Sequence, residues 1–280
     1  MEFLNVKKNQ IKVVALDLDG TLTNSQKIIT QKTKDVLKKA AENGVKIVLA
    51  SGRPTFGIIH LAKELHLAEI DGYILSNNGG LLLSAKTGEI VHKCSMPLDY
   101  IPELCRFARE NSVAIQGYDD YEGFSITETS DDHWLVHEAE INHLTIKKVS
   151  DLPAEMQKLA KPIRKLLMSV EPERMAELET KLAAQFAGRL DIFHSAPFFL
   201  EAVPLGCSKA SALAVLLEKL NLSAENLMAC GDSGNDIAMI KFAGLGVAMA
   251  NAEPKIREIA DFITLDNDSD GVAFVLEKII

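Results

Sequence analysis

Over its first eighty positions the chain alternates between unbroken apolar runs and amphipathic stretches. Val13-Val14-Ala15-Leu16 is apolar at every position, the pattern of a strand buried on both faces. In the polar stretch that follows, Thr33, Val36, Leu37, Ala40 and Ala41 fall on one helical face, with Thr30 as the cap and Gly44 as the stop. A second apolar run covers residues 45–50, a second helix residues 56–65, and a third strand residues 73–75. Such β-α-β-α-β alternation predicts a parallel sheet with right-handed crossovers.

Near residue 80 the pattern changes. Residues 81–83 and 89–91 read as a hairpin around Lys86-Thr87-Gly88. Beyond it come a helix (98–110), short strands (113–116, 124–127), a helix (134–139) and a strand (165–170). An amphipathic helix (172–186) and two strands (190–194, 198–202) complete the stretch. Helices mixed with hairpins predict an α+β unit. From Ser208 the α/β alternation returns: helix 208–220, strand 227–230, helix 235–242, strand 245–248. The expected fold class is therefore α/β, a Rossmann-like parallel-sheet core in two pieces, residues 1–84 and 199–280. An α+β domain, residues 85–198, is inserted between them.

Composition narrows the function classes. With 280 residues, 47% apolar and 25% charged, the chain has enough core to fold without disulfide or metal staples. Its net charge is −9 and no basic stripe interrupts it, so nucleic acid is not an expected partner. Cys94, Cys105, Cys207 and Cys230 form no CxxC pair and read as reduced, buried thiols. Residues 1–10 lack an apolar signal core and no apolar run is long enough for a bilayer, which predicts a cytoplasmic protein without a membrane partner. Asn-x-Ser at Asn221 and Asn267 is then a chance match. No obligate protein partner is evident.

Four short segments follow core strands or open a core helix. Asp17-Leu18-Asp19-Gly20-Thr21 places two acids at i and i+2 directly after a buried strand. Two like charges buried together are costly unless a cation or a catalytic task compensates. One such Asp alone reads as an Asx turn. Ala50-Ser51-Gly52-Arg53 offers a hydroxyl and open N–H groups at a helix start, which suits a phosphate and equally suits a plain N-cap. Lys209 opens a helix, where it either neutralises a phosphoryl oxygen or is solvated. Gly231-Asp232-Ser233-Gly234-Asn235-Asp236 adds two acids and an amide at a strand-to-helix junction. In open α/β sheets this edge binds ligands. Acids from two strand ends can converge on one hard cation, and magnesium, which prefers oxygen and bridges to phosphate, fits. One carboxylate is then left to attack as a nucleophile.

These four segments, in this order, resemble the motifs of the haloacid dehalogenase superfamily of phosphohydrolases. The insert is similar to the larger C2-type (IIB) cap of the Cof-type sugar-phosphatase branch. Ser76-Asn77-Asn78-Gly79-Gly80 before it, and Phe199-Leu200-Glu201 with Pro204 and Gly206 after it, also resemble that branch. The resemblance implies a magnesium-dependent phosphatase acting on a small phosphorylated metabolite, a sugar phosphate. It implies that Asp17 is nucleophile and metal ligand. Asp19 would protonate the leaving oxygen, then activate water, while its carbonyl binds metal. Asp232 would complete the ligands and Asp236 support them. Ser51, the Gly52 amide, Lys209 and Asn235 would hold phosphoryl oxygens, with Arg53 and Asn78 on the substrate side. One departure is Ala210, where the branch usually has Gly. The cap would exclude water and supply specificity, with Tyr118, Asp119, His133 and Trp134 as candidate readers of a sugar.

Other matches are set aside. Asp266-Asn267-Asp268-Ser269-Asp270-Gly271 with Glu277 fits an EF-hand loop, but an extended segment precedes it and a helix is already under way at residue 272. It reads as an acidic turn capping the last helix. His133 and His137 stand at i, i+4 without a third ligand nearby in sequence. Gly244-Leu245-Gly246 lacks the remaining glycine of a dinucleotide fingerprint. The competing functions are a sugar phosphomutase and a non-catalytic phosphometabolite-binding protein on the same fold.

Overall fold

The computed structural model describes residues 10–120, 122–159 and 162–279. Of the N-terminal segment read for a signal, residues 1–9 lie outside that description.

The strands are β1 (Val13–Leu16), β2 (Lys46–Ala50), β3 (Tyr73–Ser76), β4 (Leu81–Ser84), β5 (Ile90–Lys93), β6 (Ala114–Asp119), β7 (Phe124–Thr127), β8 (Thr145–Lys148), β9 (Leu166–Ser169), β10 (Leu190–Ala196), β11 (Phe199–Pro204), β12 (Leu227–Gly231), β13 (Leu245–Ala248) and β14 (Phe262–Ile263). The helices are α1 (Gln31–Glu42), α2 (Thr55–Glu64), α3 (Ile101–Glu110), α4 (His133–Ile141), α5 (Leu152–Lys158), α6 (Met175–Gln185), α7 (Lys209–Lys219), α8 (Ile237–Phe242), α9 (Pro254–Ile259) and α10 (Gly271–Ile279).

Two compact units emerge. The first comprises residues up to Ser51, Ile59–His92 and the residues from Ser208 on. Its eight-stranded sheet runs β14-β13-β12-β1-β2-β3-β4-β5. The pairings from β14 to β3 are parallel, and β4 returns antiparallel to β3. β1 and β12, each without an exposed residue, are neighbouring inner strands, and Val13, Ala15, Leu227 and Ala229 pack with Leu213, Leu216 and Leu217 of α7. The helix signals hold locally: the Thr30 side chain accepts from Thr33 N–H, and Gly44 turns the chain with φ +83°.

The second unit holds Gly52–Ile58 and Lys93–Cys207. Its six-stranded sheet runs β10-β11-β9-β6-β7-β8, antiparallel except for β7 with β8. One face carries an apolar core that includes Leu104 and Phe107 of α3, Leu178 and Leu182 of α6, and Leu166, Met168 and Leu200 of the sheet. The other face carries a buried polar set. Lys165 Nζ donates to Glu201 Oε1 at 3.1 Å, Gln116 Nε2 to Tyr118 Oη at 2.8 Å, and Tyr118 Oη to Glu138 Oε1 at 3.1 Å.

The division differs from the sequence expectation in three places. The 81–91 hairpin does not leave the parallel sheet but extends it, because β4 pairs with β3, so the long insert begins after residue 92. Residues 199–204 belong to the second unit, because β11 lies between β10 and β9. Residues 52–58 also group with the second unit: Thr55 N donates to Asp120 Oδ1 at 3.0 Å and Arg53 Nη1 to Ile141 O at 3.1 Å. Two elements were not expected, β8 and α5. The single helix expected over 172–186 is a 3-10 turn followed by α6, and that over 235–242 is a 3-10 turn followed by α8.

Candidate active site

β1 ends at Leu16, opposite Cys230 of β12. The ladder continues one bond further, with Asp17 N donating to Cys230 O at 3.0 Å. That register brings Asp17 and Asp232 out of adjacent parallel strands at the same sheet edge. The chain then has to turn away from the strand. Gly20 does so at φ +80°, and a Cβ there would stand 2.6 Å from Asp232 Oδ2, so a larger residue would strain the turn and push the Asp232 carboxylate aside. Thr21 Oγ1 donates to Asp232 Oδ1 at 2.7 Å and so orients the second acid. Asn251 Nδ2 donates to Gly20 O at 2.8 Å and steadies the turn.

β2 and β3 deliver the next groups. Ser51 follows β2 and is 2% exposed; Asn78 N donates to Ser51 O at 3.1 Å. Asn78 is left-handed (φ 55°) within a 3-10 turn that ends in Gly79 at φ +101°. A Cβ on Gly79 would collide with Ser208 O, so glycine allows this turn to lie against the start of α7. Ser208 caps α7 in a box with Ser211, which fixes Lys209 as the first helical residue.

Lys209 is fully buried, and its Nζ donates to Asp17 Oδ1 and to Asp236 Oδ1, each at 2.6 Å. Asp236 Oδ2 accepts from Asp232 N at 3.0 Å and Ser233 N at 3.2 Å. Asp236 thus clamps the loop that carries Asp232 and anchors the lysine. Asn235 Nδ2 donates to Asn78 Oδ1 at 2.9 Å, while Asn235 Oδ1 is buried without a hydrogen-bond partner among the described residues.

Oxygens of Asp17, Asp232 and Asp236 lie within 4.8 Å of one another. Three carboxylates face one ammonium. Burial pushes the Asp17 carboxyl well above its ordinary range; Asp236 adds to the rise and Lys209 opposes it. Burial and then Asp236 push Asp232 up to about 7. Burial pulls the Lys209 pKa down, but Asp17 and Asp236 outweigh it and leave the lysine more firmly protonated than usual. A cluster of hard oxygen donors with uncompensated negative charge fits a divalent cation such as magnesium, with Asp17 and Asp232 as its side-chain ligands.

The structure thus gathers Asp17, Lys209, Asp232 and Asp236, and joins Asn78 both to Ser51 and to Asn235. The Asp19 carboxylate is not part of that group among the described residues; its Oδ1 accepts from Lys27 Nζ at 2.7 Å. Gly52 and Arg53 group with the second unit, where the Arg53 guanidinium bonds the Ile141 and Gly57 carbonyls. Sequence reasoning missed Thr21 and Lys27 as partners of site acids. Thr21 stood inside the motif, but nothing marked its hydroxyl as the Asp232 orienter; Lys27 carried no signal.

The last-helix loop uses its acids internally. Asp270 accepts from the Thr30 and Thr33 hydroxyls, and Asp268 Oδ1 from Ser25 N at 2.8 Å. His133 and His137 join no metal-binding group among the described residues; their rings lie against Trp134 and Phe198.

The family model described as haloacid dehalogenase-like hydrolase matches residues 14–276. The 5-amino-6-(5-phospho-D-ribitylamino)uracil phosphatase YcsE of Bacillus subtilis (strain 168) is 31% identical over 266 residues, covering 94% of this chain and 93% of its own. The crystal structure of a haloacid dehalogenase-like hydrolase from Bacteroides thetaiotaomicron is 41% identical. It superposes with a TM-score of 0.87 and covers 96% of this chain and 100% of that one. The structure of a HAD subclass IIB sugar phosphatase, 23% identical, superposes with a TM-score of 0.82 over 95% of this chain and 98% of that one, and attests the fold.

Proposed function

Because this chain belongs to the haloacid dehalogenase-like hydrolases and is a phosphatase, we propose that it hydrolyses a small phosphorylated metabolite through a phosphoryl group carried on Asp17. The observation that carries this reading is the meeting of three carboxylates, Asp17 and Asp236 buried and Asp232 half-buried, from the ends of two adjacent strands, with Lys209 bonded to two of them.

In this reading an Asp17 oxygen attacks phosphorus while the ester P–O bond breaks. Asp19 gives its proton to the leaving oxygen. Asp19 then takes a proton from water, which attacks the aspartyl-phosphate, releases inorganic phosphate and restores Asp17. Lys209 holds Asp17 in place and faces the incoming phosphoryl charge. Ser51, the Gly52 N–H and Asn235 donate to phosphoryl oxygens, with Asn78 and Arg53 contributing on the substrate side. Magnesium, held by Asp17, the Asp19 carbonyl and Asp232, with Asp236 behind them, would neutralise phosphoryl charge when bound. The substrate class is a sugar or polyol phosphate. Two observations support it: the relative YcsE is named for a phosphoribityl substrate, and a IIB relative of the same fold is named a sugar phosphatase.

The test is release of inorganic phosphate from an aryl phosphate, with magnesium or with a chelator. Asp17→Asn is expected to lower turnover by at least about a thousandfold while keeping the fold. Normal magnesium-dependent turnover by Asp17→Asn would contradict the assignment.

A further inference from the structure

Residues 25–28 are exposed, yet the loop they form is tightly specified. Asn24 closes it from inside. Its Oδ1 accepts from Gln26 N and Ile28 N, each at 3.0 Å, while Asn24 N donates to Ile28 O at 3.0 Å and Lys27 N to Asn24 O at 2.9 Å. That closure holds Lys27 in the left-handed region, at φ 61°. From there its Nζ donates to Asp19 Oδ1 at 2.7 Å.

The loop is also braced from outside. Thr23, at its base, donates to Leu18 O through both its N–H and its hydroxyl, each at 2.9 Å. Asn267 Nδ2 donates to Thr23 O at 3.0 Å, and Asp268 Oδ1 accepts from Ser25 N at 2.8 Å. Asn267 N in turn donates to Asn251 Oδ1 at 3.1 Å, and Asn251 Nδ2 donates to Gly20 O at 2.8 Å. Asn251 and the acidic turn before α10 thus hold the chain at Gly20, Thr23 and Ser25, three points between Asp19 and Lys27. All of these residues belong to the first unit.

We propose that Lys27 is a positioning residue for the acid–base step: its ammonium holds the Asp19 carboxylate in one orientation for proton transfer, and the braced loop fixes where that ammonium stands. The proposal rests on the phosphatase reading above and adds to it a residue outside the four short segments. It also gives the acidic turn of residues 266–271 a task other than binding calcium.

The ion pair is open to solvent on both sides, 52% for Lys27 and 34% for Asp19, so it contributes little to stability. What it supplies is geometry. A carboxylate that is not held samples several rotamers, and a small misplacement costs proton transfer far more than it costs folding. The long stem of a lysine would give that advantage away on a loose loop, which is why the bracing matters. The ammonium also faces the negative charge that Asp19 acquires on giving its proton to the leaving oxygen, a charge present in the transition state and absent before it.

The test compares two aryl esters whose leaving groups differ in acidity. The phenol of para-nitrophenyl phosphate departs with little help from an acid, whereas that of phenyl phosphate needs a proton. With magnesium present, kcat/KM, which reports the first phosphoryl transfer, is measured for the parent, Lys27→Met, Lys27→Arg and Asn267→Ala. Lys27→Met is expected to lower kcat/KM about tenfold for phenyl phosphate and less than about twofold for para-nitrophenyl phosphate. Lys27→Arg keeps a cationic donor and should restore the parent ratio of the two esters. Asn267→Ala leaves both members of the ion pair in place and should shift the ratio in the same direction as Lys27→Met, by about threefold. A loss of stability alone lowers both esters alike and does not move the ratio. With Asp17→Asn inactive, an unchanged ratio in Lys27→Met would overturn the proposal, as would a Lys27→Arg no better than Lys27→Met. An unchanged ratio in Asn267→Ala would overturn the role given to the brace. Normal turnover by Asp17→Asn would overturn the phosphatase reading itself, and the proposal with it.

Discussion

The Asp232 carboxyl is pushed up to about 7 by burial and by Asp236, and Asp17 is raised as well, so without metal the site retains protons that a cation must displace. Magnesium binding should therefore release protons near pH 6.5, and the apparent affinity should rise with pH through about 7 and then flatten. Calorimetry in two buffers of different ionisation enthalpy measures the proton count directly. No proton release at pH 6.5, with pH-independent affinity, would show that these acids are not the ligands. At this scale the sequence was informative about which acids matter, because acids directly after apolar strands have few structural reasons to be there. It was silent about their orienters. Thr21 serves Asp232 through a register between β1 and β12, and Lys27 reaches Asp19 from a left-handed position, neither of which leaves a local pattern.

Elements with one physical reason to exist were legible. β1, β12 and β13 are short runs buried at every position, and the 3.6-residue pattern of α1 is capped at both ends. β8 and α5 were not. β8 reads Thr-Ile-Lys-Lys on a sheet edge and buries nothing, and α5 buries only Leu152 and Met156, one turn apart. Tertiary pairing, not periodicity, creates both. The site also depends on an element contact that a motif does not display, the close approach of the Asn77–Gly79 turn to the start of α7. Gly79→Ala adds a methyl against Ser208 O at a positive φ. It should cost about 2–3 kcal/mol in urea denaturation and displace Lys209, lowering turnover more than stability alone explains. An unchanged unfolding midpoint would mean that the approach is not tight.

Across the whole molecule, the alternation of α/β, α+β and α/β segments made the inserted unit visible, but not its borders. Those depend on which sheet accepts β4 and β11, and a strand sequence does not name its partner. Among the described residues no helix is long and apolar enough to cross a membrane. The second unit brings its own pH dependence. Burial raises Glu138 from 4.5 to about 7; Lys165 and Arg53 oppose the rise, Glu201 adds to it, and Tyr118 donates to the ionised form. Between pH 4.5 and 7 the unfolded chain ionises this group while the folded chain keeps its proton, so its contribution to stability falls as pH rises and levels off above about 7. The full drop is on the order of 3 kcal/mol. Glu138→Gln should remove that slope from urea midpoints measured between pH 4.5 and 8; a variant that still follows the parent slope would exclude Glu138 as its source.

The central claim, that one carboxylate in the acid cluster takes the phosphoryl group, is tested most directly by trapping it. Protein mixed with a phosphorus-labelled substrate and magnesium is quenched in acid within a turnover and digested. The account predicts label on the peptide containing Asp17 and none in Asp17→Asn. Steady release of phosphate with no labelled peptide at any quench time, or label on another residue, would contradict it.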